Sequence, residues 1–184
     1  MAWRLLSLGL RREEVLGLDW SAVNFDEGTI AVRQTRVRVS KATDPNGWML
    51  GQPKSKASWR TVRPDDVLPD TMRALKEQHL AAGRPSDGLV VLDGFGEPVE
   101  PNGFSRRFAM LCADAGVPII NVHSTRHTIA YLLHDAGVPV VKAAAWLGHR
   151  ADVHLRVYLF AREEGVATAG SALGRVLASV ATGS

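Results

Sequence analysis

Apolar positions along the chain recur mostly at helical spacing, with a short interval of alternation between them. Leu5, Leu6 and Leu8, then Val15, Leu16 and Leu18, lie on either side of Gly9. This pattern predicts helical structure over residues 2–18 with a bend at the glycine. Residues 29–39, Thr-Ile-Ala-Val-Arg-Gln-Thr-Arg-Val-Arg-Val, are β-branched and partly alternating. They predict a strand bearing Arg33, Arg36 and Arg38. Asp44-Pro45-Asn46-Gly47 is a turn, and Pro53-Lys54-Ser55-Lys56 leads into a second strand from Trp59 to Val62. Together these form a small antiparallel sheet over about 29–63 with a basic turn.

Helical spacing then returns. Pro69 to Ala82 carries Met72, Leu75 and Leu80 on one face. Leu89 to Leu92 is short and extended. A helix starting at Asn102 or Gly103 turns Phe104, Phe108, Leu111 and Cys112 inward and stops at Gly116 and Pro118. Ser124 is the expected N-cap of a helix through His134, closed by Ala136-Gly137. Pro139 opens another helix to Leu147, which Gly148 ends, and a further turn carries Tyr158. Residues 162–180 form an amphipathic helix with Val166, Leu173, Val176, Leu177 and Val180 apolar. The predicted class is mainly α with a small antiparallel β-sheet (α+β), as one domain over residues 1–184.

Composition narrows the setting. With 184 residues, 46% of them hydrophobic, the chain can bury a substantial core and is not disordered. A formal net charge of +3 is only mildly basic, so the local placement of Arg and Lys matters more than the sum. One cysteine, Cys112, excludes an internal disulfide. No apolar run is long enough to span a bilayer, and the N-terminus has no cleavable leader pattern, so a cytoplasmic protein is expected. The chain starts inside a helical pattern without an N-cap, as a truncated or excised protein would.

The candidate chemistry concentrates in His123 to Tyr158: His-Ser-Thr-Arg-His, an apolar helix, Trp-Leu-Gly-His, and Tyr158 nine residues on. Arg guanidinium groups hold phosphate oxygens through paired charge-assisted bonds and remain charged at any working pH. Two of them can grip a phosphodiester and stabilise the added charge of a pentavalent transition state. A Tyr hydroxyl can attack phosphorus, a His can take its proton, and a Lys can protonate the departing oxygen. Arg11, Lys56, His123, Arg126, His149 and Tyr158 supply all of these groups. No carboxylate pair has spacing suited to Mg²⁺, so phosphoryl transfer without a metal or other cofactor is expected. Taken singly, each residue more often has an ordinary surface or packing role; their joint order carries the reading.

That order resembles the tyrosine recombinase (phage integrase) family, catalytic domain. Gly9-Leu10-Arg11-x-x-Glu14-x-Leu16 with Leu18-Asp19-Trp20 is similar to the family's first box. Pro53 to Val62 resembles its β-hairpin lysine segment. His123-x-x-Arg126-His127-Thr128, then Leu147-Gly148-His149 and Tyr158, resembles its second box and nucleophile. The resemblance implies that Arg11 and Arg126 clamp the scissile phosphate and that Tyr158 attacks it to give a 3′-phosphotyrosyl link. Lys56, with Lys54 as runner-up, protonates the 5′ oxygen. His123 acts as acid and base toward the tyrosine, and His149 donates to the phosphate. Glu14 is expected to be structural, orienting Arg11 or its helix, and His127 to be structural and face away from the phosphate; His79, His134 and His154 are expected to be surface or packing residues. Ser124-Thr125 and Leu159-Phe160 depart from the usual pattern.

The resemblance also implies double-stranded DNA at attachment or recombination sites as partner, with accessory DNA-bending proteins. It implies a monomer off DNA and a tetramer on it, the helix over 162–180 docking within its own domain or on a neighbour. The resemblance implies an N-terminal core-binding domain that is expected to be missing from this chain, so weak, strongly salt-dependent DNA binding is expected. Integrase, resolvase and topoisomerase-like roles share these motifs. A catalytically silent remnant that binds DNA is the alternative from a different class.

Overall fold

A computed structural model describes residues 1–159, except Lys54 and Asp66, and gives Val157, Tyr158 and Leu159 by backbone alone. The amphipathic helix expected over 162–180, and Lys54, lie outside the described residues. The chain opens with helices α1 (Ala2–Ser7) and α2 (Arg12–Leu16), divided by the expected bend at Gly9. Gly9 adopts φ +80°, and Leu5, Leu6, Leu10, Val15 and Leu16 around it are buried. Burying each of these side chains stabilises the fold by roughly 1.5–3 kcal/mol before entropy is counted.

The β region forms two sheets rather than one. Strands β1 (Val23–Asn24), β2 (Thr29–Val32) and β5 (Arg60–Val62) make a three-stranded antiparallel sheet in the order β1-β2-β5, with Ile30 opposite Val62. Strands β3 (Thr35–Arg38) and β4 (Trp48–Gly51) form a separate antiparallel ribbon. The single strand expected over 29–39 therefore breaks at Arg33-Gln34. The cause is close packing on the end of α2: the Gln34 amide donates to the Gly17 carbonyl at 2.9 Å. A Cβ on Gly17 would lie 2.7 Å from the Thr35 carbonyl carbon, so only glycine lets the backbones approach. Strand β4 has no alternation to announce it, since Trp48-Met49-Leu50 is a continuous apolar run.

Helices supply the rest. Helix α3 (Val67–Ala81) begins two residues before Pro69, with the Asp65 side chain accepting from the Leu68 N–H at 2.9 Å. Helix α4 (Pro101–Asp114) is capped by the Glu100 carboxylate, which accepts from the Asn102 and Gly103 N–H groups. Its Phe104 ring packs against Trp3 in a tilted pair, centroids 4.6 Å apart. Helix α5 (Val122–Asp135) is capped by Asn121, which accepts from the Ser124 N–H at 2.8 Å. Ser124 is thus not the cap expected from sequence, and the earlier start places His123 in the first helical turn. Helices α6 (Val140–Leu147) and α7 (Ala151–Leu159) follow, joined by Gly148-His149-Arg150. Between α3 and α4, Leu89 to Leu92 is extended and bridges Asp19 and Pro98.

Candidate active site

The site forms where α6 ends. The last carbonyls of a helix have no partner inside it and carry its negative dipole end. Here three consecutive carbonyls each accept from a different arginine. Arg60 Nε donates to Trp146 O at 2.6 Å, Arg126 Nη2 donates to Leu147 O, and Arg11 Nη2 donates to Gly148 O at 3.0 Å. The Ser58 hydroxyl also reaches Gly148 O at 3.5 Å. Gly148 makes this convergence possible. It adopts φ +68°, and a Cβ there would meet Arg60 Nη1 at 2.6 Å.

Glu14 balances part of this charge. Its carboxylate accepts from both Arg60 terminal nitrogens at 3.0 Å each, from Arg11 Nη1 at 2.7 Å and from the Arg11 backbone N–H at 2.8 Å. The Glu14 side chain is 1% exposed and that of Arg60 6%. Burial alone raises the Glu14 carboxyl, but hydrogen bonds and charge from Arg60, then Arg11, outweigh it and hold it below the ordinary carboxylate range. Three guanidinium groups against one carboxylate leave a local charge of +2 (3 − 1) with the histidines neutral. Such a surplus suits a phosphate.

Arg126 is buried on α5, with Nη1 donating to Gly9 O and Nη2 also facing His149 Nδ1 at 3.3 Å. Burial, and after it the Arg11 charge, lower its guanidinium to about 9, so it remains charged at neutral pH. Burial, then the charges of Arg126, His154, Arg11 and Arg60, push His149 down to about 4, so its imidazole is neutral at pH 7. His123 lies exposed on the first turn of α5. Although part of the ring faces solvent, desolvation of the side that meets the cluster, then the neighbouring charges of His127, Arg126 and Arg11, lower it below its ordinary value as well. A neutral imidazole is the form that accepts a proton.

The structure thus gathers Arg11, Arg126 and His149 in one bonded cluster, with His123 beside it on α5. Lys56 opens a short 3₁₀ turn, Lys56–Ser58, exposed and two residues from the Ser58 hydroxyl that touches Gly148 O. Tyr158 lies on α7, and its side chain is outside the described residues. Glu14 orients Arg11, as expected. His127 packs edge-on against His123, ring centroids 4.9 Å apart, and His79 is a packing residue set edge-on against Trp20 at 5.7 Å.

Two residues carry more than their sequence suggests. Arg60, given no role above, is the buried partner of Glu14 and of the α6 terminus. His154, expected to be a surface or packing residue, is buried to 1% exposure and bonds His149 through its Nδ1 at 3.1 Å. The signal for Arg60 was its place in the Lys-Ser-Lys-Ala-Ser-x-Arg segment; for His154 there was none in spacing.

Comparison with known proteins agrees with this fold. The model for the phage integrase family matches residues 3–164. The chain belongs to that family. It is 29% identical over 154 residues to the "Tyrosine recombinase XerC-like" of Caldanaerobacter subterraneus subsp. tengcongensis, covering 77% of this chain and 39% of that protein. The fold matches the Tn1549 transposon integrase, solved in complex with transposon right end DNA, at TM-score 0.78 and 19% identity, covering 96% of this chain and 57% of that one. It matches the XerA recombinase at TM-score 0.66 and 16% identity, over 91% of this chain and 53% of that one. The chain therefore spans about two-fifths of the curated relative and somewhat over half of these solved chains. Among the described residues no helix is long and apolar enough to cross a membrane.

Proposed function

We propose that this chain carries the chemistry of site-specific DNA recombination: metal-free cleavage and rejoining of a DNA strand through a covalent tyrosine link. Arg11 and Arg126 hold the two non-bridging oxygens of the scissile phosphate. The Tyr158 oxygen attacks phosphorus as the bond to the 5′ oxygen breaks, giving a 3′-phosphotyrosyl link and a free 5′-hydroxyl. The tyrosine proton passes to His123, Lys56 supplies the proton to the departing oxygen, and His149 donates to the phosphate. Attack by a 5′-hydroxyl from a second duplex reverses these steps and exchanges strands. The observation that carries this reading is the convergence of Arg11 and Arg126, distant in sequence, on adjacent carbonyls at the head of the segment leading to Tyr158.

Double-stranded DNA at attachment or recombination sites is the partner in this reading. The chain is a monomer in free solution and a tetramer on DNA, assisted by DNA-bending proteins, and works in the cytoplasm. The test uses a pool of random-sequence duplexes with a 5′-bridging phosphorothiolate, in the presence of chelator. The sulfur leaving group cannot religate efficiently, so the covalent product accumulates. We expect a DNA adduct on a denaturing gel that is lost in Tyr158→Phe and Arg126→Ala. Lys56→Ala should slow cleavage of the oxygen substrate far more than of the phosphorothiolate, because sulfur departs without a proton. No adduct from the unsubstituted chain would instead favour a silent DNA-binding remnant.

A further inference from the structure

The hydrogen bonds around His149 determine where its proton sits. A guanidinium only donates, so His149 Nδ1, facing Arg126 Nη2 at 3.3 Å, must be the acceptor. Neutral His149 therefore carries its proton on Nε2. That N–H points at His154 Nδ1, 3.1 Å away, so His154 accepts there and carries its own proton on Nε2. The chain of donors runs one way only: Arg126 to His149 to His154.

His154 then stands apart from an ordinary core residue. It is 1% exposed, and its Nε2 has no hydrogen-bond partner among the described residues. A buried N–H without a partner is a cost that an apolar side chain would avoid. Among the described residues, the hydrogen bond that offsets this cost is the one to His149. His154 lies on α7 four residues before Tyr158, so one helical turn separates the residue gripping His149 from the candidate nucleophile.

We propose that His154 is a positioning residue: it accepts the His149 Nε2–H bond, fixes the orientation of that ring against Arg126, and ties the phosphate-binding cluster to the helix carrying Tyr158. The consequence for cleavage rests on the proposed function above; the bond itself does not. Neutral His149 has this one N–H, so an arriving phosphate oxygen shares it with His154 Nδ1, which holds it in place on Nε2 beforehand.

Two substitutions separate this role from packing. His154→Leu keeps an apolar side chain of substantial volume but has no acceptor. His154→Asn is smaller and places an acceptor oxygen close to where Nδ1 stands. Nitrogen-15 NMR of the full chain, labelled at histidine, reads the bond directly. His149 is expected to be protonated on Nε2, with an N–H signal protected from water exchange, absent in His154→Leu and present in His154→Asn. Adduct formation on the phosphorothiolate pool should fall at least ten-fold in His154→Leu and recover to within a few-fold in His154→Asn, with non-covalent DNA binding little changed. A His149 protonated on Nδ1, or a Leu variant that keeps both the signal and the wild-type adduct rate, overturns the proposal. A protected Nε2–H in a chain that forms no adduct contradicts the recombinase chemistry and leaves the positioning bond standing.

Discussion

The two sides of the α6 terminus solve the same problem differently. On one side, three carbonyls meet three guanidinium groups, and a buried carboxylate joins two of those groups at Glu14. On the other side, His149 and His154 form a neutral pair whose last nitrogen has no partner among the described residues. The first arrangement is over-determined: each of its charged side chains has at least two partners. The second hangs on single bonds between uncharged rings. The difference suggests a rigid anion cradle beside a more easily adjusted link to α7, and substitutions should affect the two sides unequally.

The largest effect is expected at Glu14. Glu14→Ala leaves Arg60 buried without its counter-charge, and breaking such a pair costs about 3–5 kcal/mol. Denaturant unfolding should show this as a lower midpoint at unchanged slope. A loss below about 1 kcal/mol would mean that the frame is not held by this junction. Gly148→Ala comes next. It forces a left-handed φ on alanine and pushes into Arg60, so about 1–3 kcal/mol of stability is expected to go, together with adduct formation.

Acid should separate the two sides by window. His149 has a folded value of about 4, below its unfolded value near 6.5, so the unfolded chain binds more protons between them. Its contribution to stability is therefore lost as pH falls from about 6.5 toward 4, and His123 and His154, also lowered, act in the same direction. Glu14, held below the ordinary carboxylate range, contributes at higher pH and loses its share only as pH falls further. Unfolding midpoints measured across this range should decline first through the histidine window. A flat profile from pH 6.5 to 5 contradicts the neutral pair. The smallest effect belongs to Arg150→Gln. Arg150 adjoins His149 in sequence, yet its side chain is 80% exposed and its ion pair to Asp152 lies in solvent. A change within about 0.5 kcal/mol is expected, with the His149 N–H signal unmoved.

Much of the cradle was legible before the fold. The Arg11-x-x-Glu14 spacing brings the two side chains together on one helical turn, and Gly148 after an apolar run marks a helix end. The strand ending at Val62 and the helix carrying Arg126 were read from local sequence, whereas only a turn was expected where α7 carries Tyr158. What could not be read depended on long reach. Arg60 bonds Trp146, 86 positions away, and no local pattern announces that. His154 stands five residues after His149 across a change of helix, so no helical spacing pairs them. The break at Arg33-Gln34 arises from the backbone of Gly17, and the cap at Asn121 displaces Ser124 because the helix begins one turn sooner than its apolar positions indicate.

The central claim is that this cradle serves a tyrosine nucleophile on α7. The chain has two tyrosines, Tyr131 and Tyr158, so the point of attachment is a clean choice. Digesting the trapped DNA adduct and sequencing its nucleotide-bearing peptide by mass spectrometry tests this directly. A single 3′-phosphotyrosyl nucleotide on Tyr158 is expected, with Tyr131→Phe forming the same adduct. A link to Tyr131, to a serine or to a histidine would contradict it.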